Sequence, residues 1–218
     1  MNKFGILVLA AGKSSRFGSD KLMAKMADNQ PMIAHSLTPL ISLAKTHALE
    51  LCVITRSSNQ PLINYLAAEG INYSLCADAH LGMGHSIAHG ITNHQDWQGW
   101  MIALADMPNI NLALLTVLLE EIQHNPNDII RPAFTRNEKL KPAHPVYFPQ
   151  RYGFQLSQLT GDQGAKTIIK QQRLVTQLGG EKIVEYMLMD MDTPESIKKA
   201  HHLASDTPFY ESKNQFIF

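Results

Sequence analysis

The chain has 218 residues, 44% of them hydrophobic, with 19 Lys plus Arg against 19 Asp plus Glu. That size suits one large domain with a real core, and the balanced charge excludes a general field that would draw in nucleic acid or an acidic membrane surface. No stretch approaches the ~20 apolar residues of a membrane span, and two cysteines, Cys52 and Cys76, are too few for a disulfide framework.

Phe4 to Leu9 is a continuous apolar run, the pattern of a strand covered on both faces. At about six residues it is too short for the core of a signal peptide plus its cleavage site, so a reducing, cytoplasmic setting is expected. Residues 10–21 are rich in Gly, Ser and basic side chains and read as a loop. Pro31 opens a helical pattern through Ile33, Leu37, Leu40, Ile41 and Leu43, which Pro39 should kink or shorten. Leu49 to Thr55 reads as a strand, Pro61 to Glu69 as a helix closed by Gly70, and Ile71 to Cys76 as a third strand. Both cysteines then fall on or beside strands, as buried thiols.

Residues 85–93 have a helical pattern. Trp100 to Ala105 reads as a fourth strand, ending in Asp106-Met107-Pro108, and Leu112 to Gln123 is a regular amphipathic helix. Asp128 to Arg131 and Val146 to Phe148 read as short strands around a polar excursion at 135–143. Gly164 to Gln172 is a helix, 174–178 and 185–189 are strand candidates, and Thr193 to Leu203 is a last helix with Thr193 as N-cap and Pro194 in the first turn. Residues 1–204 form one expected domain, and 205–218 an apolar tail with no usable period. Strands alternating with helices predict an α/β sheet, in which ligands bind beyond the carboxyl ends of strands. The polar segments 10–21, 106–108 and 190–194 therefore carry most weight.

In the first of these, the small residues Ala10, Ala11 and Gly12 let backbone N–H groups come close to a phosphate. Arg16 offers a fork for phosphate oxygens and Lys21 a point charge. The familiar phosphate loops do not fit. A Walker loop needs a glycine five residues before Gly12-Lys13-Ser14, and no Gly-x-Gly-x-x-Gly follows the strand.

The segment instead resembles the signature Leu-x-x-Gly-x-x-x-Arg-x-Gly-x-x-Lys of the nucleotidyltransferases that act in molybdenum-cofactor and sugar-phosphate metabolism, matched by Leu9, Gly12, Arg16, Gly18 and Lys21. Asp106-Met107-Pro108 is similar to the family's Gly-Asp-Met-Pro. Four further segments are similar to elements of the branch that makes molybdopterin cytosine dinucleotide: Gly82-Met83-Gly84-His85-Ser86-Ile87, His144-Pro145-Val146, Gly161 to Lys166, and Asp190 to Glu195. The resemblance spans residues 4 to about 203. Leu-Ala-Ala-Gly at 9–12 sides with the cytidylyl over the guanylyl branch. Ala105 and Ala143 stand where the family has glycine, and Lys166 where arginine is common.

The resemblance implies a three-layer, Rossmann-like nucleotide-diphospho-sugar transferase fold with a mostly parallel sheet. It implies transfer of CMP from CTP to molybdenum-bound molybdopterin, with Mg²⁺ as cofactor and pyrophosphate as second product. Arg16, Lys21 and Asp106 are the expected catalytic residues. Leu9, Ala10, Ala11, Gly12, Arg16, Lys21, Gly82, Gly84 and Ser86 would bind the nucleotide, His144 and Asp162 the acceptor, and Asp106 and Asp192 the metal. Asp190 competes with Asp192 as ligand, while Asp192 itself competes as a helix cap, Asp162 as an N-cap and His144 as a structural histidine. The alternatives are transfer to another phosphorylated acceptor or from another triphosphate, or a non-catalytic molybdopterin-handling chaperone. Transient docking on a molybdenum hydroxylase is a further expected partnership. His85 and His89 stand four apart, a spacing that zinc sites use, and His94 follows, but no third ligand is placed by sequence.

Overall fold

Gly5–Leu9 forms strand β1, buried at all five positions as a two-sided strand must be. The computed structural model describes residues 4–12, 20–136, 138–171 and 176–178. The expected strand at 185–189, the helix from Thr193 to Leu203 and the tail 205–218 lie outside them.

The next elements are helix α1 (Met32–His47), strand β2 (Glu50–Thr55), helix α2 (Gln60–Ala68), strand β3 (Tyr73–Leu75), helix α3 (Met83–Asn93) and strand β4 (Gly99–Leu104). They are followed by helix α4 (Leu112–His124), strands β5 (Ile130–Arg136), β6 (Lys139–Pro142) and β7 (Val146–Pro149), short helices α5 (Gly153–Ser157) and α6 (Lys166–Gln171), and strand β8 (Thr176–Leu178).

Among the described residues the strands form one sheet in the order β3-β2-β1-β4-β7-β5-β6, with β8 also paired to β5. The β3-β2-β1-β4 half is parallel. β7 runs antiparallel to both β4 and β5, and β5 antiparallel to β6.

Strand alternation sends the two faces of the sheet into two cores. Ile6, Val8, Val53, Met101 and Ala103 pack with Leu37, Leu40 and Leu43 of α1, Leu62 and Leu66 of α2, and Leu115, Leu118 and Ile122 of α4. Leu7, Ile54, Trp100, Ile102, Val146 and Phe148 pack with Ile87 and Ile91 of α3, Leu156 of α5 and Ile168 of α6. The result is the expected three-layer α/β architecture. Cys52 and Cys76 are buried free thiols, and loss of hydration pushes Cys52 up to about 11.

Two sequence expectations change. Pro39 does not shorten α1, which continues to His47. The lost backbone hydrogen bond is offset by burial of Leu40, Leu43 and Ala44 beyond it. The polar excursion at 135–143 is a β-hairpin, with Thr135 opposite Leu140 and Arg136 opposite Lys139. Its alternation is weak because Lys139, Lys141 and Pro142 of β6 are exposed on both faces.

Caps set the helix starts. The Asn111 side chain accepts from the Leu114 amide at 2.9 Å, closing the first turn of α4. Asn111→Ala is expected to cost about 1 kcal/mol. In a domain of this size that lowers the melting temperature by about 2–4 °C in a thermal denaturation scan. No helix among the described residues is long and apolar enough to cross a membrane.

Candidate active site

The chain reverses its direction of strand addition between β1 and β4. β1, β2 and β3 are laid down outward in order, and β4 then returns to the other side of β1. A crevice forms beyond the carboxyl ends at such a reversal. Leu9 lies opposite Leu104, and the Ala105 amide donates to the Leu9 carbonyl at 3.1 Å. The loop after β1 and the Asp106 turn are therefore neighbours because their strands are.

Ala10 and Ala11 are buried, whereas Gly12 is exposed with open space above its Cα. The Ala10 amide donates to the Ile54 carbonyl, and Arg56, one residue past β2, donates from Nη1 to the Gly12 carbonyl. Arg16 and Gly18 lie outside the described residues. Lys21 begins a single 3-10 turn, Lys21–Met23, whose N-cap Asp20 accepts from the Leu22 amide.

The Lys21 side chain is 9% exposed, and its Nζ lies 2.7 Å from Asp106 Oδ2. These groups, 85 residues apart in sequence, form a charge-assisted hydrogen bond in a largely dry place. Behind Asp106, Ala105 and Met107 are buried in the first core and hold the turn. Asp106 keeps 21% of its side chain exposed. A carboxylate at a strand end is a hard oxygen donor. It fits magnesium, which takes one or two carboxylates and completes its shell with water and phosphate oxygens. The carboxylate already neutralises one cation, Lys21. Asp192 and Asp190 lie outside the described residues, and among those described no group of three or more metal-ligating side chains is assembled.

His144 stands on the β7 side of Asp106. Its Nδ1 donates to the Ile102 carbonyl at 3.3 Å, which in the neutral ring leaves Nε2 as an acceptor. Burial lowers its basicity, and the cations Arg131 and Lys166 push the same way. The Ile102 carbonyl and Asp106 oppose them.

The Gly82–Ser86 segment meets the 160–164 loop. The Gly84 amide donates to the Gly161 carbonyl at 2.8 Å, and the Gly161 amide donates to His85 Nδ1 at 3.3 Å. A Cβ on Gly82 would lie 2.4 Å from the Gly161 carbonyl carbon, and one on Gly84 2.6 Å from the Thr160 oxygen. These glycines thus have a packing reason to be glycine. Asp162 is exposed, with its Oδ1 in the same contact zone. Ser86 is buried, with its hydroxyl bonded to the Cys76 thiol. The zinc alternative dissolves into separate contacts. His85 takes the Gly161 amide, His89 is 2.7 Å from the Ser74 hydroxyl, and His94 donates to the Gly90 carbonyl.

Arg56 and Arg131 did not stand out in the sequence. Arg56 directly follows a legible strand, a cue that was available. Arg131 closes the expected strand Asp128 to Arg131, but its place beside His144 is set by the pairing of β5 with β7.

The model of the MobA-like NTP transferase domain matches residues 6–182. The chain is similar to the purine catabolism protein PucB of Bacillus subtilis, with 28% identity over 202 residues, covering 86% of this chain and 90% of that protein. It is 28% identical over 142 residues to a probable molybdenum cofactor guanylyltransferase of Thermococcus sibiricus, covering 65% and 67% of the two chains. In fold it is similar to a nucleotidyl transferase of Methanothermobacter, with a TM-score of 0.73, 13% identity, and coverage of 94% and 100%.

Proposed function

The chain belongs to the MobA-like NTP transferase domain family and is a nucleotidyltransferase, and from that premise we propose that it transfers CMP from CTP to the terminal phosphate of molybdenum-bound molybdopterin. The products are molybdopterin cytosine dinucleotide and pyrophosphate. The observation that carries the reading is the Lys21–Asp106 pair at the β1/β4 crevice, beside the small-residue loop 10–12. The cytidylyl assignment rests on Leu9-Ala10-Ala11-Gly12 and the Gly82–Ile87, His144–Val146 and Gly161–Lys166 segments. The guanylyltransferase relative keeps GTP as the competing donor.

In the transfer, a phosphate oxygen of the acceptor attacks the α-phosphorus, the bond from that phosphorus to the bridging oxygen breaks, and pyrophosphate leaves. The nucleophilic oxygen is already anionic at neutral pH, so no strong base is required. The protein's work is alignment and neutralisation of spreading negative charge. Magnesium, when bound, supplies charge neutralisation across the phosphates. Asp106, with Asp192, would hold it. Arg16 and Lys21 clamp the triphosphate, and the backbone at 10–12 approaches it. Gly82, Gly84 and Ser86 border the nucleotide, and His144 and Asp162 the acceptor. Docking on a molybdenum hydroxylase would deliver the product.

The test is pyrophosphate release with Mg²⁺ and each of the four triphosphates, with and without molybdenum-loaded molybdopterin. Pterin-dependent release with CTP is the expected result. Release with GTP alone overturns the base assignment, and pterin-independent behaviour with every triphosphate overturns the acceptor.

A further inference from the structure

Arg131 is a cation near the crevice that has no counter-charge among the described residues. Its Nε is shut off from solvent and meets no hydrogen-bond acceptor. Among the described residues no carboxylate forms an ion pair with it. A guanidinium taken partly out of water ordinarily has an acid or a carbonyl to receive its N–H groups. Burial alone lowers its basicity, with no carboxylate acting to restore it.

The sheet register explains where this group sits. Ile130 lies opposite Tyr147, and Tyr147 opposite Met101. Arg131 is one step further towards the carboxyl edge, level with Ile102, whose carbonyl holds His144. Alternation places Arg131 on the face of Ile129 and Val146, which is the face of Ile102 and of α6. Arg131, His144 and Lys166 thus gather beside Asp106, and Arg131 and Lys166 both act electrostatically on the His144 ring. Two cations and a neutral histidine make a surface for a multiply charged anion.

We propose that Arg131 is the anchor for the phosphate of the acceptor, its guanidinium receiving the phosphate oxygens beside His144 and Lys166. The proposal rests on the transfer reading above and adds a residue that fixes the attacking group opposite the triphosphate loop. An arginine in this place gives a planar fork for two oxygens, which a lysine supplies only as a point charge.

The decisive measurement is calorimetric titration of inorganic phosphate into the full chain, with the triphosphate site filled by an α,β-methylene nucleotide. Arg131→Gln is expected to weaken phosphate at least tenfold, and Arg131→Lys to recover part of that loss. Nucleotide affinity should stay within twofold and the melting temperature should not fall. In turnover the KM for the acceptor should rise at least tenfold, while the KM for the triphosphate holds. Phosphate binding that is absent in the wild type, or unchanged in Arg131→Gln, overturns the proposal. So does a variant that loses phosphate, nucleotide and thermal stability together, since Arg131 would then be structural. If the wild type binds phosphate through Arg131 yet forms no product from the pterin, the acceptor reading fails and the anion site stands.

Discussion

Replacing Asp106 by alanine is expected to lower pyrophosphate release by about a hundredfold or more. The carboxylate sits at the end of β4 and is mostly shielded from water, with Lys21 Nζ at 2.7 Å. Charge held in such a place acts on the developing transition state without first reorganising solvent. Losing one such contact typically costs on the order of 3 kcal/mol in activation free energy, and each ~1.4 kcal/mol is tenfold in rate. Two effects combine in the alanine variant. On the proposed reading the metal would lose one of its oxygen ligands, and Lys21 loses the carboxylate that holds its Nζ. Asp106→Asn separates them by keeping the shape and an oxygen while removing the charge. We expect Asn to recover fold stability but little rate. Manganese binding to the nucleotide complex, followed by electron paramagnetic resonance, should weaken in both variants. Turnover in Asp106→Ala within threefold of the wild type would sink the assignment of this residue.

Gly82→Ala should produce a large loss of stability from a single methyl group. Gly82 has φ of 124°, a backbone conformation that side chains rarely adopt. The added carbon would also lie 2.4 Å from the Gly161 carbonyl carbon and 2.5 Å from Asp162 Oδ1. Backbone cannot step aside as the end of a flexible side chain does, so the 160–164 loop must lift away from α3. Strain of this kind and overpacking each cost about 1–3 kcal/mol. A combined loss of about 3 kcal/mol would lower the melting temperature by about 6–12 °C. The same displacement carries away Gly161, which binds His85, and the start of α6 with Lys166. Both KM values should therefore rise, since Gly82 borders the nucleotide on the proposed reading and the displaced loop carries Asp162 on the acceptor side. Unchanged melting would show that the two loops are not clamped together in solution.

Much of the fold was legible because its signals are local. A strand covered on both faces has to be a continuous apolar run, so Phe4 to Leu9, Leu49 to Thr55 and Trp100 to Ala105 stood out. Gly70 marked the end of α2, and Gln60 to Ala68 formed the helix before it. Pro39 misled because its cost is local while the burial that offsets it comes from the rest of the core. The β5–β6 hairpin was missed because Lys139, Lys141 and Pro142 of β6 are exposed, so no apolar alternation marks it.

The candidate site divides in the same way. Residue order alone determined the chemical types: a small-residue loop with basic side chains after the first strand, and an aspartate turn after the fourth. Those types suit phosphate chemistry, which needs close backbone approach, cations and a hard carboxylate, and the resemblance to the family signature with the match over residues 6–182 places the chain among nucleotidyltransferases. Tertiary structure decided which of them meet. The return of the chain across β1 set Lys21 against Asp106, and the antiparallel pairing of β7 and β5 brought His144 and Arg131 to the same edge. No local pattern encodes that pairing, since it depends on which strands find one another when both faces of the sheet are buried. The identity of a side chain is written in the sequence, whereas its neighbours across the sheet are set by the burial of the whole core.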